Sequence, residues 1–537
     1  MSGTMAPPAP HTCFYYFIAI AMSVVDGRRI AVIGTLAAWV IAIAVVVVLD
    51  DAPSQHASRL PEYLRPFRPV GIRVINAIGT LLSAVGLLDR AISLDPDHLM
   101  AAACSKLGRT YPKSNCVLRD AEDEQWHESF HRLTQALQHQ ANLTCLGRVV
   151  AQGQIMGILE TRGRLLEEFA KEEEDRHDSS AADLIEPVFI VGLPRTGTTL
   201  LARLLALDPA NRAPTLWEYM SPVPKPPCPP PLNASKADFE AYDLKTKVRI
   251  GEEQWKVEQY KSLAPGVDAM HPVEATNPEE CIIIMNYIMD SEQVAVTYPI
   301  HEYMQWLLGF DHHVKALEWN RRVLQYLQQD DPYGPRRWVV KTPYYLAMMD
   351  DIRKVFSNAK IIQTHRDPAQ SVLSISSVIA KLHGIVTNDI DLYRIGSQQA
   401  EIHEIMIDKA LQVRKQWAEE AKNLGTEEST GSFRVVDMHL EDLQKDPIET
   451  VNNIYTALFD TKLSPEAASL MMNWLEENPR TKHGTHRPTM DEFRLEGRMD
   501  SDIFADYRRA FGAKGAAPLS NDKDRSASDQ DTEHSEL

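Results

Sequence analysis

The chain carries near its start an apolar run that is long enough to cross a membrane. Residues 30–49 are 20 residues without a charge. At about 1.5 Å per residue of helix, they match a bilayer core of roughly 30 Å. Arg28 and Arg29 precede the run, and two aspartates follow it. The positive-inside rule therefore predicts a transmembrane signal anchor, with residues 1–29 in the cytosol and the rest of the chain outside it.

A cleaved signal peptide is the alternative interpretation of this run. The run is longer than the usual apolar region of such a peptide, and no small-x-small pattern directly follows it, so a signal anchor is favoured. Residues 13–25 are a second, shorter apolar stretch, and whether they form another membrane segment stays open.

Helical periodicity dominates the region after the run. Residues 50–70 are polar and contain prolines, which is typical of a linker. Apolar positions then recur at helical spacing, and they predict a helical N-terminal region over residues 71–182. Within it, residues 74–88 contain no charge and are interpreted as a core helix rather than a membrane element.

From residue 183 to residue 512, short apolar runs rich in β-branched residues alternate with helical patterns. The predicted strands are Val188–Val191, Arg212–Glu218, Arg337–Pro343, Ala359–His365 and Ser432–Asp437. Such alternation predicts an α/β domain with a parallel sheet flanked by helices. Residues 513–537 are acidic and rich in Ser and Asp, which predicts a disordered tail.

The turn after the first strand has the composition of an anion-binding loop. Gly192 and Gly197 bracket it, and a helix rich in leucine begins at Thr198. Free backbone N–H groups and the helix dipole favour an anion there. The phosphate loop of nucleotide triphosphatases has the same glycine spacing but a lysine where Thr198 stands. A P-loop-like turn with its positive charge at Arg195 is therefore predicted, and triphosphate chemistry is disfavoured.

Four charged residues fall at or just after the ends of predicted strands: Arg195, Glu218, Lys341 and Arg366. Ligands of parallel α/β sheets bind at the carboxyl ends of the strands. The four side chains are therefore expected to converge on one site.

A second anion motif follows the fourth strand. Asp367 and Pro368 are suited to begin a helix, which leaves Arg366 at the strand end and Ser374 two turns into the helix. Two anion sites without a phosphate-loop lysine resemble the sulfotransferases, in their carbohydrate and bacterial-type branch. Further similarity lies at Leu216–Glu218, His271 with Pro278–Glu280, Lys341–Pro343 and Asp442–Pro447.

The resemblance implies the donor 3′-phosphoadenosine-5′-phosphosulfate as co-substrate, and no metal. It implies that the first loop binds the 5′-phosphosulfate, and that an arginine and a serine eight residues apart bind the 3′-phosphate. Implied donor-binding residues are Gly192, Pro194, Arg195, Thr196, Gly197, Thr198, Thr199, Arg366, Ser374, Lys482 and Gly484.

The expected reaction is in-line transfer of a sulfuryl group to a hydroxyl or amine, which needs a general base. Glu218 is the first candidate base and His271 the second, with Glu279 and Glu280 after them. Arg195 is expected to stabilise the leaving group, and Lys341 to contact the leaving group or the acceptor. The expected acceptor is a small molecule or glycan, such as a carbohydrate, a glycolipid or a secreted metabolite.

Composition excludes some classes of function but does not identify one. The net charge of −18 argues against broad nucleic-acid binding, so any anion site is local. The six cysteines form no C-x-x-C pair, and their pairing is not readable. Asn142 and Asn233 begin glycosylation sequons. With the predicted topology, these features favour a type II glycoprotein of the Golgi. The alternatives are an inactive membrane-anchored binding protein and, more remotely, a nucleotide kinase.

Overall fold

The computed structural model describes residues 60–110, 116–119, 124–175, 183–309, 313–425, 433–479 and 488–512. The predicted anchor at 30–49 and the predicted tail at 513–537 lie outside the described residues. Lys482 and Gly484 lie outside them as well.

A parallel sheet organises the described chain. In chain order its strands are β1 Val188–Gly192, β2 Asn211–Arg212, β3 Arg337–Lys341, β4 Lys360–His365 and β5 Arg434–His439. The spatial order is β2-β3-β1-β4-β5, so β1 is central. Val188 pairs with Val339 on one side and with Lys360 on the other. All of β1 is buried, as expected of a strand covered on both faces.

Helices precede, separate and follow the strands. Before β1 lie α1 Val70–Ala84, α2 Leu88–Ala91, α3 Pro96–Thr110, α4 Glu124–His139 and α5 Cys145–Asp175. Between β1 and β3 lie α6 Thr198–Leu205, α7 Leu216–Met220, α8 Lys236–Leu263, α9 Ile282–Asn286, α10 Gln293–Thr297, α11 His301–Leu308 and α12 Val314–Gln328. Between β3 and β5 lie α13 Met349–Val355, α14 Pro368–Val386 and α15 Leu392–Leu424. After β5 lie α16 Leu440–Lys445, α17 Pro447–Phe459, α18 Pro465–Glu477, α19 Met490–Phe493 and α20 Asp502–Phe511.

The two faces of the sheet carry two hydrophobic clusters. Phe189 and Val191 belong to the larger cluster, whereas Val188 and Ile190 belong to the smaller one. This split follows from the two-residue period of a strand. The smaller cluster includes residues of α6, α17 and α18, and the larger one includes residues of α14 and α15. The predicted α/β sheet flanked by helices is therefore confirmed.

The helical N-terminal region packs onto the sheet-bearing part of the chain. The amide of Thr144 donates to the carbonyl of Val386 over 2.9 Å, and Arg162 Nη1 donates to the carbonyl of Tyr287 over 3.1 Å. Residues of α3, α4 and α5 belong to the larger cluster. The helical region thus shares a core with the sheet.

The predicted second strand is wrong over most of its length. β2 ends at Arg212, and the residues from Leu216 to Met220 form α7. The amide and the hydroxyl of Thr215 both donate to Glu218 Oε2 over 2.9 Å. This local bonding begins a helix, so Glu218 lies in a first helical turn and not at a strand end.

Two other expectations concern the surface and the cysteines. Cys104 and Cys116 form a disulfide, with Cα atoms 5.3 Å apart. Asn142 was expected in a helical stretch, but it is exposed between α4 and α5. Asn233 is exposed in the loop before α8.

In the described residues, α14 meets the length and apolarity criteria of a membrane span by itself. It is 83% buried within the protein, as a core helix is. Two buried histidines lie in this region: His383 in α14 is 4% exposed, and His403 in α15 is 1% exposed. His403 Nδ1 donates to the carbonyl of Gln399 over 2.7 Å.

Acid is expected to destabilise the fold through these histidines. Burial lowers the pKa of both His383 and His403 to about 4, below the value of about 6.5 for an unfolded histidine. A lowered folded pKa contributes stability above pH 6.5 that is lost as the pH falls toward 4. As the pH falls from 7 to 5, the lowered pKa of each histidine is expected to reduce the free energy of unfolding by about 2 kcal/mol. Urea unfolding of the wild type and of His403→Gln measures this.

His403→Gln should lose less stability than the wild type between pH 7 and pH 5. His98→Asn, at an exposed histidine, is the control and should follow the wild type. An unchanged pH dependence in His403→Gln would contradict the assignment.

Candidate active site

The loop from Gly192 to Thr198 leaves the central strand at its carboxyl end and is fixed by β4. Gly192 has φ +147°, and a Cβ at this position would lie 2.2 Å from Thr364 Oγ1, so only glycine fits. The hydroxyl oxygens of Thr196 and Thr364 are 2.5 Å apart. Thr196 Oγ1 also donates to the carbonyl of Leu193 over 2.7 Å. These contacts hold the loop in one shape ahead of α6.

The second anion motif meets the first one directly. Arg195 Nε donates to Ser374 Oγ over 3.2 Å, and Arg366 Nη1 donates to the carbonyl of Arg195 over 3.1 Å. The hydroxyl of Ser371 donates to the carbonyl of Pro194. Three of the predicted donor-binding side chains thus surround one point between the loop and the start of α14.

Lys341 links the end of β3 to the same loop. It is 2% exposed, and its Nζ donates to Thr199 Oγ1 over 3.1 Å and to Glu280 Oε1 over 2.7 Å. Glu279 Oε1 lies 3.7 Å from the same Nζ. Burial alone would raise the pKa of Glu280, but the charge and hydrogen bond of Lys341, together with the charges of His271 and Arg195, outweigh it and hold that pKa below its usual range.

Backbone contacts explain why these carboxylates reach the lysine. The amide of Cys281 donates to the carbonyl of Lys341 over 3.0 Å, and the amide of Glu279 donates to the carbonyl of Pro214 over 3.1 Å. The Pro278–Glu280 segment is therefore attached to both β3 and the chain that follows β2. Its carboxylates are part of the sheet edge at which the loop lies.

His271 faces the same cavity as the loop. The carbonyl of the following Pro272 accepts from Arg203 Nη2 of α6 at 3.5 Å. Burial lowers the pKa of His271, and the charges of Glu279 and Glu280 offset part of that effect. The imidazole is therefore neutral at neutral pH and lies near carboxylates that stabilise its protonated form.

Glu218 does not join this group. It is 0% exposed, and its Oε1 accepts from Arg212 Nη2 over 2.8 Å. Its Oε2 accepts both hydrogen bonds of Thr215 described above. It is absent from the wall of the cavity at the loop. The expected convergence thus holds for Arg195, Lys341 and Arg366 and is wrong for Glu218, because its carboxylate is directed toward a buried arginine.

One cavity of about 680 Å³ opens at the loop. Charged and polar residues of its wall include Arg195, Thr198, Thr199, His271, Glu279, Glu280 and Arg366. Further polar residues of the wall are Glu253, Lys256, Tyr260, Glu292, Gln293, Thr297, Gln399, His403 and Gln444. Pro194 and Gly197 also belong to the wall there. Arg195, Arg366 and the loop therefore face the same space, and Lys341 lies behind this wall, where it contacts Thr199 and Glu280.

The rest of the wall, beyond these polar side chains, is apolar. It includes Val257, Val273, Ile283, Val296, Ile375, Val378, Leu382, Ile402 and Met406. From the start of α14 at Pro368 to Leu382 the helix rises about 21 Å, at about 1.5 Å per residue. The cavity thus runs from a charged end at the loop to an apolar end along α14 and α15.

Glu292 is a buried carboxyl in this cavity that sequence reasoning missed. It is 8% exposed and lies in the cavity wall. Burial raises the pKa of Glu292 to about 8, and the charge of Glu280 adds to the effect. It belongs to a stretch whose only sequence signal is a helical pattern, and no spacing rule connects it with the loop.

No group of three or more His, Cys, Asp or Glu side chains that is arranged to hold a metal occurs among the residues that the structure describes. The side chains at the loop are instead arginines and threonines, whose charges and hydroxyl groups suit the binding of anions.

Comparison with known proteins assigns this architecture to a class. A family model described as sulfotransferase family matches residues 187–460. These residues include the loop, Lys341, Arg366 and Ser374. The chain belongs to the sulfotransferase family.

Solved structures and curated relatives give the same class. The crystal structure of sulfotransferase STF1 from Mycobacterium tuberculosis H37Rv is 25% identical, with a TM-score of 0.58 over 76% of this chain and 98% of that one. Sulfotransferase STF9 from Mycobacterium avium shares the fold at 23% identity, with a TM-score of 0.62 over 78% of this chain and 97% of that one.

The curated relatives are two proteins named omega-hydroxy-beta-dihydromenaquinone-9 sulfotransferase Stf3, from Mycobacterium bovis and Mycobacterium tuberculosis. Each is 24% identical over 227 residues, which are 39% of this chain and 53% of the relative. The chain thus matches about half the length of these relatives. They are bacterial and give no support to a Golgi location.

Removal of the Glu218 carboxylate is expected to cost stability. Glu218→Ala leaves the guanidinium of Arg212 buried at 2–3% exposure beside Trp338, whose ring centroid lies 4.5 Å away. Loss of one partner of a buried ion pair lowers the free energy of unfolding by about 3–5 kcal/mol. Urea unfolding of the variant measures the loss.

Glu240→Ala is the matched control, because Glu240 forms an exposed pair with Lys236 and should change stability by less than about 1 kcal/mol. A Glu218→Ala protein with unchanged stability but no activity would instead favour the catalytic role first predicted for this residue.

Proposed function

We propose that the protein is an active sulfotransferase that moves a sulfuryl group from 3′-phosphoadenosine-5′-phosphosulfate to a hydroxyl of an amphiphilic acceptor. The observation that carries the proposal is the single cavity, with Arg195 and Arg366 at one end and an apolar wall at the other. Membership of the sulfotransferase family supports the reaction type.

The donor is proposed to bind across the two anion motifs. The N–H groups of the Gly192–Gly197 loop, with Thr198 and Thr199 at the start of α6, suit the 5′-phosphate. Arg366 and Ser374 suit the 3′-phosphate. Both motifs meet at Arg195, which contacts Ser374 over 3.2 Å and Arg366 through its carbonyl. Lys482 and Gly484 stay predicted donor contacts outside the described residues.

The donor supplies the sulfuryl group, and the chain's residues handle the charges that change during transfer. As the acceptor oxygen bonds to sulfur and the bond from sulfur to the 5′-phosphate oxygen breaks, negative charge returns to that phosphate. Arg195 and the loop N–H groups lie where they stabilise this charge. Lys341, which is held at Thr199 by a hydrogen bond of 3.1 Å, is proposed to assist at the same oxygen.

His271 is proposed as the base that takes the acceptor proton. Its lowered pKa keeps it neutral, and Glu279 and Glu280 stabilise the imidazolium that forms. Glu280 itself is a weaker candidate, because its ion pair of 2.7 Å with Lys341 lowers its basicity. Glu218, the first candidate from the sequence, is committed to Arg212 and is proposed to be structural.

The apolar part of the cavity favours an acceptor with a hydrocarbon portion. A free carbohydrate would leave its hydroxyls without partners along Ile375, Val378 and Leu382, whereas the chain of a lipid or glycolipid would be buried there. The relatives named as menaquinone-derivative sulfotransferases are consistent with this chemistry. The acceptor class is thus proposed to be an alcohol with a long apolar chain.

The domain limits and membrane attachment extend the proposal. Residues 30–49 are proposed to anchor the chain, with the helical region to residue 182 and the sulfotransferase domain at 183–512 on the far side. An inactive binding protein is the alternative, and it predicts donor-product binding without transfer.

Donor binding tests the first half of the proposal. Arg195→Ala and Arg366→Ala are each expected to weaken binding of 3′-phosphoadenosine-5′-phosphate by about tenfold to a hundredfold, because each removes a charge-assisted contact worth roughly 1.5–3 kcal/mol. Isothermal titration calorimetry on the full chain in detergent measures the dissociation constants.

Arg509→Ala is the matched control, since Arg509 is 77% exposed and its ion pair is with Asp506 of the same helix. Wild-type protein that unfolds cooperatively but binds no 3′-phosphoadenosine-5′-phosphate would contradict the donor assignment.

Transfer tests the second half of the proposal. With sulfur-35-labelled donor, the wild type is expected to sulfate geranylgeraniol and decanol in preference to N-acetylglucosamine. His271→Asn is expected to lower kcat by at least about a hundredfold, since a positioned base contributes roughly 10²–10⁴. It should leave the binding of 3′-phosphoadenosine-5′-phosphate unchanged. Radiolabel in the separated products measures the rates.

His98→Asn, at an exposed histidine far along the chain, is the control and should retain full activity. Preference for the sugar would contradict the apolar acceptor class, and full activity in His271→Asn would contradict the assigned base. Binding of the donor product without transfer to any of the three acceptors would favour the inactive binding protein.

A further inference from the structure

The first helix of the described chain has an apolar row on one face that is half-buried along its middle and exposed at both ends. Val70, Val74, Ile78, Leu81 and Val85 follow one another at spacings of four, four, three and four residues, so they lie on one side of α1 and its end. Val70 is 59% exposed and Val85 is 67% exposed, and the three residues between them are half-buried. Gly79 is the only buried residue within this helix.

The opposite side of α1 is the side that the protein holds. Asn76 Oδ1 accepts from the amide of Leu146 over 3.0 Å. A Cβ at Gly79 would lie 2.1 Å from the Cβ of Cys145, so α1 and α5 are in backbone-close contact there. Asn76 and Gly79 are one helical turn apart and point away from the apolar row. The small and polar side thus packs inward, and the apolar side points outward.

The sequence around α1 differs in charge from the rest of the protein. Residues 60–90 contain four arginines (Arg65, Arg68, Arg73 and Arg90) and two acids, whereas the whole chain carries −18. Basic residues next to an apolar helical face favour the surface of an anionic bilayer.

The predicted anchor is close in sequence to the start of the described chain. Residues 30–49 are the uncharged apolar run, and only ten residues, 50–59, separate it from Leu60. Ten residues span at most about 35 Å. If the run is in a membrane, the start of the described chain is held near that membrane.

We propose that the outer face of α1, from Val70 to Val85, lies in the interfacial layer of a lipid bilayer. The helix is then a second membrane contact of the chain, parallel to the surface, and it fixes the orientation that a single anchor leaves free. This proposal does not depend on the donor or on the reaction.

The position of α1 also relates the bilayer to the cavity. The segment just before α1 packs on α14: Lys381 Nζ donates to the carbonyl of Tyr63 over 2.9 Å, and Pro66 lies next to Gly384. Val378 and Leu382 of the same helix line the apolar end of the cavity. A bilayer at α1 therefore lies beside the helix along which an apolar acceptor would be bound.

Photolabelling from the lipid phase tests the proposal on the full chain. The protein is reconstituted into vesicles of phosphatidylcholine and phosphatidylglycerol that contain a diazirine-bearing phosphatidylcholine, and labelled peptides are identified by mass spectrometry. The matched control is an apolar stripe on α8 formed by Leu244, Val248 and Trp255, which are 85%, 73% and 59% exposed. Peptides from residues 70–87 are expected to carry at least about fivefold more label than the α8 peptide, as a helix buried in the interface would.

A variant separates lipid contact from mere exposure. Ile78→Glu with Leu81→Glu is expected to reduce the labelling of residues 70–87 to the level of the α8 peptide and to leave the labelling of residues 30–49 unchanged. Leu244→Glu with Val248→Glu should leave the labelling of residues 70–87 and of residues 30–49 unchanged. Cooperative thermal unfolding of each variant identifies any that fails to fold, and a single Val85→Glu variant then replaces it.

Two results would overturn the proposal. One is equal labelling of residues 70–87 and of the α8 peptide in the wild type. The other is efficient chemical cross-linking of α1 to residues 30–49 or to a second copy of the chain without lipid label, because protein rather than lipid would then cover this face.

Discussion

The site depends on the contact between the end of β1 and the end of β4. Gly192 leaves room for Thr364 where a Cβ would come within 2.2 Å of its hydroxyl, and Thr196 meets the same hydroxyl at 2.5 Å. Parallel pairing of the two strands brings their carboxyl ends to one edge, where ligands of such sheets bind. Because Arg366 follows β4 immediately, this one contact sets the distance between the two anion motifs. Neither motif alone holds a doubly phosphorylated ligand, whereas their fixed separation suits one.

Cations are gathered at this edge in a protein whose overall charge is −18. Burial lowers the pKa of the guanidinium groups of Arg195 and Arg366, and the charge of Arg366 lowers that of Arg195 further, without discharging either at neutral pH. Lys341 is paired with Glu280 at 2.7 Å, whereas Arg195 donates to a hydroxyl and Arg366 to a backbone carbonyl. The cations held by neutral groups thus lie at the loop and not at β3. An arriving anion is favoured at the loop, and the carboxylates remain on the side where a proton has to be removed.

Sequence reasoning succeeded where chemistry and structure share a short segment. The buried run Val188–Val191, the glycines of the loop, and the eight-residue spacing of Arg366 and Ser374 are local patterns, and the strands and the loop were predicted from them. The prediction for Glu218 was wrong because the start of a helix was interpreted as a strand. Thr215 and Glu218 have the three-residue spacing of a capping box, which was the available signal. The apolar cavity wall was beyond prediction, because α8, α10, α14 and α15 are distant in sequence and only the packing brings their residues together. His271 was found from the motif, yet its neutral state follows only from burial.

The apolar wall of the cavity and the apolar row on α1 both bear on how the proposed acceptor reaches the site. An acceptor chain long enough to occupy the wall along α14 is poorly soluble in water, so its concentration in solution is low and its residence in membranes is high. A soluble enzyme with such a cavity would meet its substrate rarely. The segment before α1 contacts α14 at Lys381 and Gly384, so the helix that lines the cavity and the helix with the apolar outer face form one packed unit. An arrangement of this kind shortens the transfer of an apolar chain from bilayer to cavity, because less of that chain is exposed to water on the way.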